Sequence, residues 1–581
     1  MEVTGTSILE NLFPELIIKI LHCCECFSIL RFAATYYELV MQSISLQLHI
    51  ELEANGVEIV KGSLKPDASY SVVLEDLRRF RDAWLNLDIG EPIMRSLGES
   101  EMLLWELREG FYIKAISQSG GRYANSLQFI PLDAESPDPL PLLFDFVFNE
   151  FTADPGQDLV ALISRDPDRN NTCHIHLHSS TTGSSHPLAQ HPRLTAEFDF
   201  TFPLFASCYA IEIMGHALIA KISRPEADTY ELLIWDWRSG IVLHRISSRT
   251  GLCDFSFLDL QHLVVLSVTR SSPSQDTISL LIYTLSESPS TGCAAYNRKL
   301  RATDVPISEP TLCLEFPRPR EWSKISNSGL LLRSDPTPGR TIYTKSAAFV
   351  CPYTITLGIT LVFRSSRVNW DSPPSYRIFL DGLSLLDLIR TYSCDGVTVA
   401  PWSMWGINAT RWFVAPEQPD HWICWMSGSR YVRPLLECPY YCVFDFSSLS
   451  ARRFQGGPSP ASHNVDSSAD TSSLAVSEVF GDLEQLDNHL LSLLESALPS
   501  SGGRTQPVVV NVGVDNPSVI GIGDFPEFNE PIVSRLPYRI VCKGDNQLDP
   551  EGWQINNNCL VGVVDWFGSP SESITIYKLN E

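Results

Sequence analysis

Glu231-Leu232-Leu233-Ile234-Trp235-Asp236-Trp237-Arg238-Ser239-Gly240 is the stretch that decides the fold class. An apolar run ends in Trp-Asp, and Arg-Ser-Gly then turns the chain into Ile241-Val242-Leu243. Gly240 supplies the left-handed position that such a turn requires. On a strand, Trp235 and Trp237 share one face and Asp236 takes the other. Asp236 is predicted to accept hydrogen bonds from N–H groups of the turn.

Looser echoes are Ile278-Ser279-Leu280-Leu281-Ile282-Tyr283, Tyr441-Cys442-Val443-Phe444-Asp445-Phe446 and Gly562-Val563-Val564-Asp565-Trp566. From about Phe111 onward, short apolar and aromatic runs alternate with Gly, Pro, Ser, Asn and Asp turns. Examples are Leu159–Ile163, Ala217–Ile222, His262–Val268 and Tyr353–Phe363. This density of short strands predicts a mainly β fold: a sandwich, a barrel or a propeller. The echoes favour a divergent β-propeller, although their irregular spacing gives no clean repeat period, and roughly six or seven blades are expected. Residues 106–581 are read as this body. Within it, 451–475 is rich in Ser, Gly, Pro and Ala and reads as a flexible loop. At about 479–495, Leu483, Leu486, Leu490 and Leu493/Leu494 share one face of an amphipathic helix. Packing against the β body is the expected role of that helix, and docking a partner is the alternative.

Residues 1–50 are helical in pattern. In Leu12-Phe13-Pro14-Glu15-Leu16-Ile17-Ile18-Lys19-Ile20-Leu21, apolar side chains recur at steps of three and four. Pro14 suits a first helical turn, and Glu15 sits near the positive end of the dipole. A second helix is predicted over 27–40. A third runs from about Leu46 and is stopped by Gly56. Another follows at 73–85, with Leu74, Leu77, Trp84 and Leu85 on one face. The stretch 51–105 therefore reads as a helical linker.

The chain has 581 residues and is 44% apolar and 19% charged, as expected of a globular protein of two or more domains. Lys plus Arg is 43 and Asp plus Glu is 68, a net charge of −25. Broad electrostatic binding to nucleic acid or an anionic membrane is not expected. No run is long and apolar enough for a membrane span. A basic n-region before an apolar stretch is missing, so no secretory signal is expected. The 15 cysteines are scattered, and they read as reduced thiols of a cytoplasmic or nuclear protein with no structural disulfide.

Residues suited to chemistry are few. His174, His176 and His178 would share one face of a strand and could gather a metal, but no carboxylate or cysteine follows at ligand spacing. The bland reading is a solvent-facing strand with Ile175 and Leu177 inward. Cys23, Cys24 and Cys26 spread around a helix axis and are expected to pack it. Trp402, Trp405, Trp412, Trp422 and Trp425 form either a ligand-binding aromatic face or filling between sheets, and the filling is expected. No catalytic, cofactor-binding or metal-binding residue is assigned.

The helical opening resembles an F-box, and the 231–243 segment resembles a WD repeat. Together with the Trp84 helix and Leu536-Pro537-Tyr538-Arg539-Ile540, they make the chain similar to the F-box proteins of mushroom-forming fungi. Phe13 stands where that family usually has Leu, and the second helix is about three residues short of its pattern, nearly one turn. The resemblance implies that Pro14, Leu16, Ile17, Ile20, Leu21 and Leu30 contact a Skp-type adaptor, which joins the chain to a cullin scaffold. It further implies substrate recognition for a ubiquitin ligase, with an unknown protein target on the propeller and no bond-making residue in the chain. A propeller scaffold without a ligase role is the alternative. A propeller hydrolase acting at the central channel is a third reading.

Overall fold

In the computed structural model, the structure describes residues 12–24, 26–98, 100, 102–132, 138–202, 209–270, 275–285, 300–335, 339, 341–365, 375–392, 398–415, 425–435, 440–447, 482–496, 507–521, 527–544, 552–564 and 573–580. They divide into two units. The first comprises residues 1–90, 340–352 and 579–581, and the second comprises 91–339 and 353–578. The reading of 451–475 as a loop lies outside the described residues, as do Trp422, Asp565 and Trp566.

The first unit is mainly helical. Helices α1 (Pro14–Leu21), α2 (Cys26–Ala33), α3 (Tyr37–Gln42), α4 (Ile44–Ala54) and α5 (Tyr70–Asn86) follow in order. Pro14 and Glu15 occupy the first turn of α1 and Lys19 its last, in keeping with the helix dipole. Ser43 caps α4 by accepting from the Leu46 N–H at 3.4 Å. Gly56 follows α4 with φ at +62°, the left-handed stop read from the sequence. The strand Glu58–Ile59 pairs with a hairpin made by Thr341–Tyr343 and Ala348–Val350. This unit therefore draws on a segment far along the chain.

One buried ion cluster ties α4 to α5. Glu51 is 1% exposed, and its carboxylate meets Arg81 at 2.6 Å and Arg78 at 3.6 Å. Glu51→Ala would take the buried carboxylate from two guanidinium groups, leaving Arg78 with Gln47 and Arg81 with Asp82. A loss of about 2–4 kcal/mol is expected, toward the lower side of a broken buried pair because Arg78 is partly solvated. Urea unfolding followed by the helical signal checks it.

The second unit is mainly β. Besides a two-stranded sheet of Ser518–Ile520 and Ile532–Ser534, its described strands build seven mainly antiparallel sheets in chain order, each starting with an edge strand, and the edge strands Leu300–Arg301 and Thr398–Ala400 join theirs in parallel. Those first strands are Met102–Arg108, Glu150–Asp154, Tyr209–Met214, Gly251–Phe257, Ser323–Arg333, Met426–Ser427 and Gly552–Ile555. The seventh sheet is completed from the N-terminal side: Ile93–Ser96 pairs with Ser573–Lys578. The strands of this unit thus begin at Ile93, which lies, like Glu58–Ile59 of the first unit, inside the region 51–105 read as a helical linker. That reading missed them because a four-residue strand and the Met102–Arg108 run carry no strict alternation.

Apolar side chains fill the intervals between successive sheets. Ile113 and Phe148 meet Val160 and Leu162 between the first and second. Ile175 and Leu177 meet Leu218 and Trp235 between the second and third. Ile234 and Leu243 meet Phe255 and Val265 between the third and fourth. Leu266 and Leu280 meet Ile359 and Ile378 between the fourth and fifth. Phe379 and Phe413 meet Tyr431 and Phe444 between the fifth and sixth. Tyr441 of the sixth lies 4.5 Å from Trp553 of the seventh, ring to ring. Val561 and Ile576 of the seventh meet Leu107 and Tyr112 of the first.

The segment that opened the sequence reading sits in the third sheet. Strands Thr229–Asp236 and Ile241–Ser248 pair, with Gly240 at φ +74° in the turn. Asp236 accepts from the Arg238 N–H at 3.1 Å and the Ser239 hydroxyl at 2.6 Å. Trp235 and Trp237 enter the same apolar cluster. The expected amphipathic helix spans Leu483–Ser496 and buries Leu483, Leu486, Leu490 and Leu494 against the fifth and sixth sheets.

The expectation of no disulfide is corrected at one place. Cys442 and Cys542 are joined by a disulfide. They stand directly opposite on adjacent antiparallel strands of the sixth sheet, and cross-strand partners on one face come close.

Candidate protein-docking site

The helical unit is too small to bury every apolar side chain of α1. At 100° per residue, the stripe through positions 17 and 21 and the stripe through 16 and 20 point in different directions. Ile17 and Leu21 turn inward, 6% and 5% exposed, against Ile29, Val40, Leu46 and Ile50. Leu16 and Ile20 turn outward, 45% and 52% exposed. Phe13 and Pro14 ahead of them, and Leu30 on α2, are also exposed.

This divides the six residues that the F-box resemblance assigned to adaptor contact. Pro14, Leu16, Ile20 and Leu30 are open for docking. Ile17 and Leu21 are core and are withdrawn from the contact set. Phe13 joins the exposed set. Its signal in the sequence was its place one turn before Ile17 on a helix entry, which pattern alone could not orient.

The other candidates resolve into packing. Cys23 and Cys24 direct their thiols to the Lys19 and Ile20 carbonyls of their own helix, at 3.6 and 3.4 Å. Cys26 is buried, and its N–H donates to the Glu53 carboxylate at 2.9 Å. The three histidines do share one face of Thr172–Ser179, but each ring meets a protein partner through at least one nitrogen. His174 pairs with Thr195 at 2.9 Å and Asp166 at 3.3 Å, His176 with Ser164 at 2.9 Å, and His178 with the Gly183 carbonyl at 2.8 Å. Phe146 stacks on His176 at 3.8 Å, and all three histidines are half-buried rather than solvent-facing. Burial and the neighbouring histidines push His176 down to about 3. Among the described residues, no group of three or more His, Cys, Asp or Glu is placed to hold a metal ion. Trp402, Trp405 and Trp412 gather around Phe316 between the fourth and fifth sheets. Trp425 packs on Tyr431 farther along.

A polar cluster that the sequence reading did not single out lies along the first strands of the β unit. Glu106 accepts from the Ala153 N–H and the Thr152 hydroxyl, both at 3.0 Å, and Arg108 donates to the Ala153 carbonyl at 2.8 Å. Asp254 accepts at 2.9 Å from Lys221, Arg333 and the Leu332 N–H. Asp276 takes the Ile325 N–H at 3.1 Å, and Asp335 takes the Gly428 N–H at 2.7 Å. Glu106, Asp254 and Asp276 thus each satisfy a backbone donor on the edge strand that begins the next sheet, whereas Asp335 and Gly428 lie just past the ends of their strands.

Two further acids in this cluster have no such arrangement. Among the described residues, Glu150 accepts from its neighbour's N–H, Phe151, at 3.1 Å. Burial pushes Glu150 up to about 7 and Glu212 up to about 8, against the pull of nearby Arg and Lys side chains.

No known family pattern matches the chain, and no curated protein matches it. Three solved structures are similar to it at a low level. The hydrazine synthase of Kuenenia stuttgartiensis is 11% identical, with a TM-score of 0.25, over 48% of this chain and 64% of its own length. An uncharacterised protein of Listeria monocytogenes is 10% identical, with a TM-score of 0.24, over 50% of this chain and 64% of its own length. Extracellular domains 1-2 of Drosophila semaphorin 1b are 10% identical, with a TM-score of 0.27, over 83% of this chain and 88% of theirs. At these scores none of the three bears on function.

Proposed function

We propose that the chain is the substrate-recognition subunit of an SCF-type ubiquitin ligase. The helical unit docks a Skp-type adaptor and through it a cullin scaffold, in the cytoplasm or nucleus. The second unit, read as a seven-bladed β-propeller, holds the target protein. The observation that carries the docking half is the outward stripe of Phe13, Leu16 and Ile20 with Leu30, set on a helical unit with its own separate core. A few apolar anchors laid into a partner groove supply most of the energy of such a contact. The propeller reading rests on seven successive sheets, apolar filling in every interval including seventh to first, and an N-terminal strand completing the last sheet. The chain contributes binding. Bond formation is left to an enzyme held nearby, which is catalysis by proximity.

The test is co-expression with a Skp-type adaptor. Wild type should co-purify with it, and Leu16→Asp combined with Ile20→Asp should bind at least about tenfold more weakly while keeping its helical signal. Equal recovery of the adaptor by both proteins would reject the stripe as the docking surface. No recovery by wild type would reject the ligase reading in favour of a scaffold.

A further inference from the structure

The far edge of the first sheet is uncovered. Its last strand, Leu142–Phe148, pairs on one side with Ala124–Pro131 and on the other with no strand among the described residues. Elsewhere the β unit closes such edges with chain drawn from farther along. Leu300–Arg301 adds in parallel to the second sheet at Ala196 and Glu197, and Thr398–Ala400 adds in parallel to the fourth along Leu312, Cys313 and Leu314. In the third, the Ser308 N–H donates to the Arg245 carbonyl of the edge strand at 2.7 Å. The ladder that holds Leu142–Phe148 is itself incomplete: Leu142, Leu143 and Phe148 have partners on Ala124–Pro131, and the register shifts in between. Backbone donors and acceptors are therefore available along this edge.

Side chains alternate along the strand. Phe144, Phe146 and Phe148 pack toward the second sheet, beside Val160 and Leu162. Leu143, Asp145 and Val147 share the opposite face, with Leu143 66% exposed, Val147 53% exposed and Asp145 exposed between them. Leu140, 88% exposed, extends the apolar strip beyond the strand. Asp145 has no hydrogen-bond or ion-pair partner among the described residues.

We propose that this edge takes up an extended segment of a partner protein as an added strand, in which a lysine or arginine stands opposite Asp145 and apolar residues at the alternate positions on either side stand against Leu143 and Val147. Main-chain hydrogen bonds supply the affinity, and the three facing side chains supply the selectivity. A second copy is a poor occupant: an antiparallel pair centred on Asp145 sets two carboxylates opposite each other, and two chains of net charge −25 repel. The same net charge draws a cationic segment. The site rests on the reading of the second unit as the part that holds a target, and owes nothing to adaptor docking at α1.

The experiment is selection of a displayed random-peptide library on the immobilised full chain, wild type beside Asp145→Lys. Asp145 is exposed, so the variant is expected to stay folded, which circular dichroism checks. Wild type should enrich peptides with a cation between two apolar residues at alternate positions, and Asp145→Lys should enrich an acid in place of that cation. The leading wild-type peptide, synthesised, should bind wild type at least about tenfold more tightly than the variant and should slow hydrogen exchange over 142–148. No adaptor is present, so failure here is distinct from failure of the co-expression test. Selection without such a pattern, a pattern indifferent to Asp145→Lys, or protection confined to other segments would overturn the site. So would full protection of 142–148 in the free chain, which gives the edge to a segment of the chain itself, or protection that rises with chain concentration, which gives it to a second copy.

Discussion

Ile17→Asp combined with Leu21→Asp is expected to unfold the helical unit, whereas the neighbouring pair Leu16→Asp and Ile20→Asp leaves it folded. The two pairs differ by one position along the same helix. Ile17 and Leu21 pack on Ile29, Val40, Leu46 and Ile50. Removing each apolar side chain costs about 2–5 kcal/mol, and an ionised carboxylate without a partner adds to that. A helical unit of this size does not survive the sum. Leu16 and Ile20 face solvent, and substitution there changes stability by about 0.5 kcal/mol or less. Hydrogen exchange over residues 14–54 measures it. Protection lost in the first pair and retained in the second is the expected result, and equal protection in both would place the stripes wrongly.

Asp254→Ala is expected to be the most damaging single change in the polar cluster of the β unit. Its carboxylate accepts from Lys221, Arg333 and the Leu332 N–H, each at 2.9 Å. Removing it takes the carboxylate from two cations, which keep the Cys253 and Leu332 carbonyls, and the acceptor from the Leu332 N–H, in a position only 5% exposed. A loss of about 3–5 kcal/mol is expected, read as a lower denaturant midpoint. Burial works to raise the Asp254 carboxyl, but Lys221 and Arg333 outweigh it and hold the group below its ordinary value. Its contribution is therefore present above the unfolded carboxyl value and is lost as pH falls through the folded one. Wild type and variant should converge in acid. A difference below about 1 kcal/mol at neutral pH would show that the cluster is solvated rather than closed.

Legibility in the sequence followed the range of the interactions. The turn at Asp236 to Gly240, the shared face of Trp235 and Trp237 and the Leu483–Leu494 stripe were readable because each is decided within a few residues. The core stripe of α1 was half readable. Spacing showed an apolar helix but not which of two adjacent stripes had a neighbour to bury it. The Cys442–Cys542 bond was invisible because its partners are 100 residues apart and meet only through sheet pairing. The polar cluster was hidden for the same reason. Glu106, Glu150, Glu212 and Asp254 are isolated acids in four apolar strands, and only the arrangement of sheets brings them together. An acid inside the first strand of each of the first four sheets was the available signal, and it looks like ordinary alternation until the strands are stacked.

The central claim is that the exposed stripe of α1 is covered by an adaptor. Titration calorimetry of the purified full chain with a Skp-type adaptor tests it most directly. Saturable one-to-one binding with a negative heat-capacity change, the mark of apolar burial, is expected of wild type and is lost in Leu16→Asp with Ile20→Asp. No binding by wild type, or binding that the folded double variant retains in full, would contradict it.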